Sequence, residues 1–220
     1  MHSARRVRPQ EADSGGAGGG AGGGNDPRVI SDATPDNNRK PGARYAQVSP
    51  RRGSRAAAAP ADVVLPDGSK IPDDQSPTGY MQSPVADLSA VAEAGRNTGV
   101  RFEHLRTSPE DVPAAIPYLL GKLYRDLKQG GTFDYQRDVD SAGGYIQLRH
   151  YRNVSNFNVG LYSQQAGLSL HETLTIAGLY ARFFSSNADR AEPYGLSHRT
   201  RRYTEYGFRG GERGIFGRAK

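Results

Sequence analysis

The chain has 220 residues, with Lys+Arg 29 against Asp+Glu 23 for a formal net charge of +6, a hydrophobic share of 35%, 28 glycines and 14 prolines. That share is too lean for a core that fills the whole length, so part of the chain is expected to lie outside the packed domain. No run approaches the roughly eighteen apolar residues of a membrane-spanning helix, and the absence of cysteine excludes disulfides, thiolate zinc sites and cysteine nucleophiles.

Residues 1–60 read as a disordered tail. Gly15 to Gly24 is almost pure glycine and Arg51 to Ala61 is basic and simple, and neither buries enough apolar surface to offset its ordering entropy. With ten Lys/Arg against five Asp/Glu, this tail reads either as a solubilising linker or as an arm for nucleic acid or a membrane surface. Its opening, MHSARRVRPQEADSGG, lacks the apolar stretch of a cleavable secretory signal. Residues 61–107 read as a collar. Val63-Val64-Leu65 followed by Asp67-Gly68 predicts a short strand entering a tight turn, and Val85, Leu88, Val91 and Ala92 predict a helix that closes at Gly95. Ten acids face seven bases over residues 61–130, so the cationic character is not uniform.

Ser108-Pro109-Glu110-Asp111 predicts a helix start, with Ile116, Leu119, Leu120, Leu123, Tyr124 and Leu127 as its apolar face and Gly130-Gly131 as its stop. Thr132 to Gln136 then reads as extended chain, and Tyr145 to Tyr151 alternates as a strand. Phe157, Leu161 and Gln164 mark a shorter helix, in which Gly160, Ala166 and Gly167 permit close approach. Ile176, Leu179, Tyr180 and Phe183, widened by Leu174, Ala177, Ala181 and Phe184, predict a largely buried helix. Ser169-x-x-Glu172 at its head is a capping box, which makes His171 a surface residue. A last helix spans about Ser197 to Tyr206, and residues 211–220 read as a flexible basic C-terminus. The order predicts an α+β, mostly helical fold, with a small compact domain over residues 108–210 that contains a short strand pair.

Chemistry concentrates in two places. Asp134 sits in Gly130-Gly131-Thr132-Phe133-Asp134-Tyr135-Gln136, where flanking aromatics shield its carboxylate, and His150 follows on the next predicted strand. A carboxylate–histidine pair across strands would serve acid–base catalysis, whereas a turn-capping Asp134 would be structural. Asn156, Asn158, Gln164 and Gln165 fall at or near a packed surface, where each amide must find partners. His198-Arg199-Thr200-Arg201-Arg202, with Tyr203 and Tyr206 interleaved, reads as a phosphate-binding face or as a solvated helix face. The five histidines show no ligand pair at i, i+4, and neither an HExxH nor an EF-hand spacing occurs, so neither a metal site nor a cofactor is expected.

GGTFDYQR, NVSNFNVGLYSQQAGLS, TLTIAGLYA and PYGLSHRTRRYTEYG together resemble the bacterial polymorphic toxin type 44 domain. The matching positions are Gly130, Gly131, Phe133, Asp134, Tyr135, Asn156, Phe157, Asn158, Gly160, Ala166, Gly167, Ala177, Gly178, Pro193, Tyr194 and Gly195, in order over roughly residues 115 to 210. Gln136 departs from the lysine common there, and Leu196-Ser197-His198-Arg199 replaces an aspartate-rich run. The resemblance implies a toxin effector of interbacterial competition, delivered to a target cell by a specialised system and paired with an immunity protein. The expected activity is hydrolysis of RNA or DNA by metal-independent chemistry. Asp134 and His150 would be catalytic, and Tyr135, Gln136, Asn156, Asn158, Gln164, Arg199 and Arg202 would hold substrate. A peptidoglycan hydrolase and a non-enzymatic partner-binding module remain the alternatives.

Overall fold

The computed structural model describes Arg55, residues 58–139, 144–185 and 188–217. The glycine-rich stretch, most of the expected tail and the extreme C-terminus lie outside the described residues. The chain begins with β1 (Ala61–Asp62), which pairs antiparallel with β2 (Gln82–Ser83). Between them the expected turn closes at Gly68, whose φ of 80° supplies the left-handed conformation, and Val64 bridges Lys70 across it. Five α-helices follow among the described residues: α1 (Ser89–Thr107), α2 (Val112–Leu127), α3 (Arg152–Gln165), α4 (Leu170–Phe184) and α5 (His198–Glu212). A second antiparallel pair, β3 (Arg137–Val139) with β4 (Tyr145–Gln147), connects α2 to α3. The fold is α+β and mostly helical.

α3 is the central element. Tyr151 at its head and Val154, Phe157, Leu161 and Tyr162 along it are fully buried. They share one core with Val63, Leu65, Met81, Leu88 and Val91 from the first segment and with Leu119 and Leu123 of α2. The collar is therefore part of the domain rather than a separate piece. Its helix also runs twelve residues past Gly95, to Thr107. Gly95 does not end α1; a Cβ there would stand 2.5 Å from the Tyr162 carbonyl oxygen, so the glycine lets α1 lie against α3.

The tightest packing joins α3 to α5. A Cβ on Gly160 would collide with the Thr204 carbonyl oxygen, and one on Gly207 with that of Phe157. Two helix backbones can approach this closely only where both lack side chains. α5 continues through Gly210 and Gly211 to Glu212, and Phe216 beyond it is 8% exposed in the core. Arg96 on α1 donates to the Phe216 carbonyl (2.7 Å). The segment read as a flexible C-terminus from residue 211 is thus packed as far as Phe216, with Gly211 against the Gln164 side chain.

Three local expectations change. Ser108 caps the C-terminus of α1, and α2 starts later, behind Asp111 with a proline in its first turn. Thr132 to Gln136 is a series of turns, and the strand read over Tyr145 to Tyr151 ends at Gln147, giving way to a 3-10 turn over Arg149–Tyr151. The third concerns α4, which is far from buried. Leu179, Phe183 and Phe184 are 52%, 65% and 52% exposed. Its buried positions are Thr173, Leu174, Gly178 and Ala181, with Gly178 pressed on the Tyr194 backbone. The capping box at Ser169 and Glu172 is present as expected.

Candidate active site

The C-terminus of α2 turns sharply at Gly130, where φ is 71°. Gly131 follows in a space bounded by the carbonyl oxygens of Arg125, Asp126 and Lys128, each 2.9 Å from where a Cβ would stand. This explains the glycine pair physically: the turn folds residues 130–136 back onto α3. Three bonds hold it there. The Phe133 amide donates to Asp126 O (2.9 Å), Asn158 Nδ2 donates to Phe133 O (3.0 Å), and the Gln136 amide donates to Ser155 Oγ (2.9 Å). Arg55 reaches over from ahead of β1, donating to the Thr132 and Asp134 carbonyls at 2.6 and 3.0 Å, with its guanidinium 5.2 Å from the Tyr135 ring centre.

Asp134, 4% exposed, stands at the floor of a cleft of about 390 Å³ between α2 and α4, lined also by α3 and the head of α5. Its Oδ2 accepts from the Gly130 amide (2.7 Å) and the Arg137 guanidinium (3.0 Å). No protein group among the described residues donates to Oδ1. One oxygen is fixed, and the other accepts no hydrogen bond from the described residues. Gln136 turns its amide oxygen to the same Arg137 guanidinium.

Two donors share this cleft. The Asn156 Nδ2 is enclosed yet meets no protein acceptor. A buried amide left unmatched costs about 1–3 kcal/mol, so such a group is explained by a partner that arrives. The Tyr180 hydroxyl accepts from the Gln129 amide (3.0 Å), which leaves its own proton free to be given. Burial raises the Tyr180 pKa, so the phenol remains protonated near neutrality. The upper walls are apolar: Leu120, Leu123, Tyr124, Ile176, Leu179 and Phe183.

Of the residues expected at the site, Asp134, Gln136 and Asn156 line the cleft. Asn158 is fully buried behind it and positions the Phe133 carbonyl. Tyr135 turns into the core under Arg55. His150 sits in the 3-10 turn after β4 with its ring 3.9 Å from that of Tyr151, and Asp134 precedes β3, so the two do not face each other as neighbouring strand residues. Gln164 accepts from Gln165 Nε2 (2.6 Å) and packs on Gly211 of α5. Arg199 donates to Asn153 Oδ1 (2.7 Å) and lies 3.8 Å from the buried Asp73, which ties the loop before β2 to α3 and α5. Arg202 lies along α5 on the Tyr206 ring and hydroxyl.

Sequence reading missed Tyr180 and Arg137. Tyr180 falls on the apolar face of α4, where nothing local separates a core tyrosine from a cleft donor. Arg137 three residues after Asp134 was a readable signal, because that spacing permits an ion pair. Among the described residues no group of three or more His, Asp or Glu is placed to hold a metal ion, and no helix is long and apolar enough to cross a membrane.

No family model matches this chain, and neither a curated protein nor a solved structure matches it. The likeness to the type 44 toxin domain therefore rests on its motif residues alone.

Proposed function

We propose that this domain is the hydrolytic domain of an antibacterial effector and that its chemistry takes place over Asp134. The observation that carries the reading is the oriented carboxylate. Asp134 lines the cleft with Oδ2 held by Gly130 and Arg137, and its Oδ1 keeps lone pairs that no described protein group uses. In that role Asp134 takes a proton from an attacking water or hydroxyl, and the Tyr180 O–H and Asn156 Nδ2 donate to the oxygen on which charge develops. The motif residues support the toxin reading, since Asp134 of the first motif and Asn156 of the second line this cleft, and Asn158 holds the Phe133 carbonyl behind it.

A wall glycopeptide suits the cleft better than a nucleic acid. The cations lining it among the described residues are Lys128 and Arg137; Arg137 is paired with Asp134, which leaves Lys128 as a single charge against a polyanionic backbone. Arg199 and Arg202 are engaged on other faces. Phosphate binding relies on free cations, whereas a sugar or peptide is held by aromatic faces and fixed hydrogen-bonding groups. Asp134 is the one carboxylate lining the cleft among the described residues, an arrangement that does not match the paired-carboxylate route of most glycosidases. An immunity protein that blocks this mouth is the partner the reading requires.

The test is expression of the full chain in a bacterium, with and without an added export signal, for the parent and for Asp134→Asn. Toxicity confined to the exported parent is the expected result. Cytoplasmic toxicity lost in Asp134→Asn would move the substrate to nucleic acid, and an Asp134→Asn protein as toxic as the parent would remove the carboxylate from the mechanism.

A further inference from the structure

The mouth of the cleft carries an unusual concentration of exposed rings. Tyr124 is 50% exposed, Phe183 65% and Phe184 52%, with Leu120 and Leu179 beside them. The rings touch one another: Tyr124 stands 6.3 Å from Phe184, and Phe184 stands 6.4 Å from Phe183. Each flank carries a cation on a ring face, Lys128 over Tyr124 at 4.8 Å and Arg182 over Phe183 at 5.8 Å. Neither cation has a carboxylate partner among the described residues. The acids of α2 and α4 are Asp126, which is buried, and Glu172, which closes the capping box at the far end of α4. An apolar patch of this kind calls for a partner.

We propose that this ridge docks on an anionic lipid surface, which brings the cleft mouth to the membrane–water boundary. The chemistry is complementary on both counts. Aromatic rings favour the interfacial layer of a bilayer, and lysine and arginine beside them lay apolar stems along it while their charges meet lipid headgroups. A helix lying in a groove is a poorer occupant. Tyr124 on α2 stands 6.4 Å from Tyr180 and 6.3 Å from Phe184 on α4, so the exposed rings form a ridge at the cleft mouth rather than a continuous helix-length groove. The inference uses no part of the hydrolase reading, because lipid partitioning involves no reaction.

Co-flotation of the full chain with phosphatidylcholine vesicles, with and without phosphatidylglycerol, measures this directly. The parent should float with the anionic vesicles. Phe183→Ser/Phe184→Ser, at exposed positions that leave the helical circular dichroism unchanged, should weaken partitioning about tenfold, and Lys128→Gln/Arg182→Gln should weaken it by a similar factor. Since the N-terminal residues are themselves basic, flotation unchanged in the ring variant would assign binding to them and overturn the proposal. Absence of flotation in the parent would overturn it as well. So would a parent dimer that fails to float and that the ring variant turns into a monomer, which would make a second copy the occupant.

Discussion

Asn156 separates a structural amide from a functional one. Its side chain makes no hydrogen bond within the protein among the described residues, and Nδ2 is enclosed. Replacing it with alanine removes an unmatched donor, so Asn156→Ala should hold or raise the melting temperature while lowering activity. Asn158→Ala should do the reverse, because it strips the Phe133 carbonyl of its donor; a loss of about 1–3 kcal/mol is expected in chemical denaturation. A destabilised Asn156→Ala would make that amide a structural linker after all. The carboxylate proposed as catalytic has its own comparison. Asp134→Asn should keep the fold and lower turnover by about a hundredfold or more, the scale of general acid–base contributions, while Tyr180→Phe should lower turnover and also cost about 0.5–1.5 kcal/mol, since it leaves the Gln129 amide without its acceptor. Glu172→Gln should leave activity intact, since it lies in a cap whose loop-side partner is Ser169.

Two helices here show what glycine does at the scale of an element. On α2, Gly121 faces open space, and alanine there should stabilise by about 0.5–1 kcal/mol through helix propensity. On α3 and α5, Gly160 and Gly207 each occupy the point where one backbone rests on the other, so alanine at either must push the helices apart. Gly207→Ala should cost more than about 3 kcal/mol, and the urea midpoints of these variants should move in opposite directions. α4 is an amphipathic helix whose widest apolar face was left uncovered. Its periodicity was fully legible, but periodicity reports that a face is apolar, not what lies against it. Between that face and α2 lies the cleft, while Gly178 on α4 is pressed against the Tyr194 backbone sixteen residues further on, a contact no local pattern announces.

Across the whole molecule, the buried network at Asp126 couples α1, α2, α3 and the Gly130 loop to pH. Asp126 is 2% exposed and takes bonds from Tyr162 (2.9 Å), Arg125 (2.9 Å) and Thr132 (3.2 Å), with Lys122 at 3.2 Å; Tyr162 in turn meets Thr98 on α1 (2.7 Å). Burial works to raise its carboxyl pKa, but the donors outweigh it and hold the group below the usual value. A carboxyl with a lowered folded-state pKa contributes stability that is complete above its unfolded pKa of about 3.9 and is lost as pH falls through the folded value. Asp126→Asn should therefore cost about 1–3 kcal/mol at neutral pH and flatten the acid limb of the stability profile. Melting temperatures measured from neutral to strongly acidic pH check this, and parallel curves for parent and variant would remove Asp126 from the acid transition.

By itself the sequence determined what depends on near neighbours in the chain. The Asp67-Gly68 turn, the box at Ser169 and Glu172, the stop at Gly130-Gly131, the start of α5 at Ser197 and the helical class all follow from contacts within a few residues. It also marked Asp134, Gln136 and Asn156, because carboxylates and amides beside aromatics are rare enough to stand out locally. Only the tertiary structure decided which of the marked residues share a space. Arg199, Gln164 and Tyr135 carry the same local signals, yet they are spent on Asn153, Gln165 and the core beneath Arg55. Tyr180 entered the cleft, and Gly207 joined α5 to α3, through partners tens of residues away. A side chain's function depends on what faces it, and where the chain brings distant segments together is a property of the packed core rather than of any local pattern.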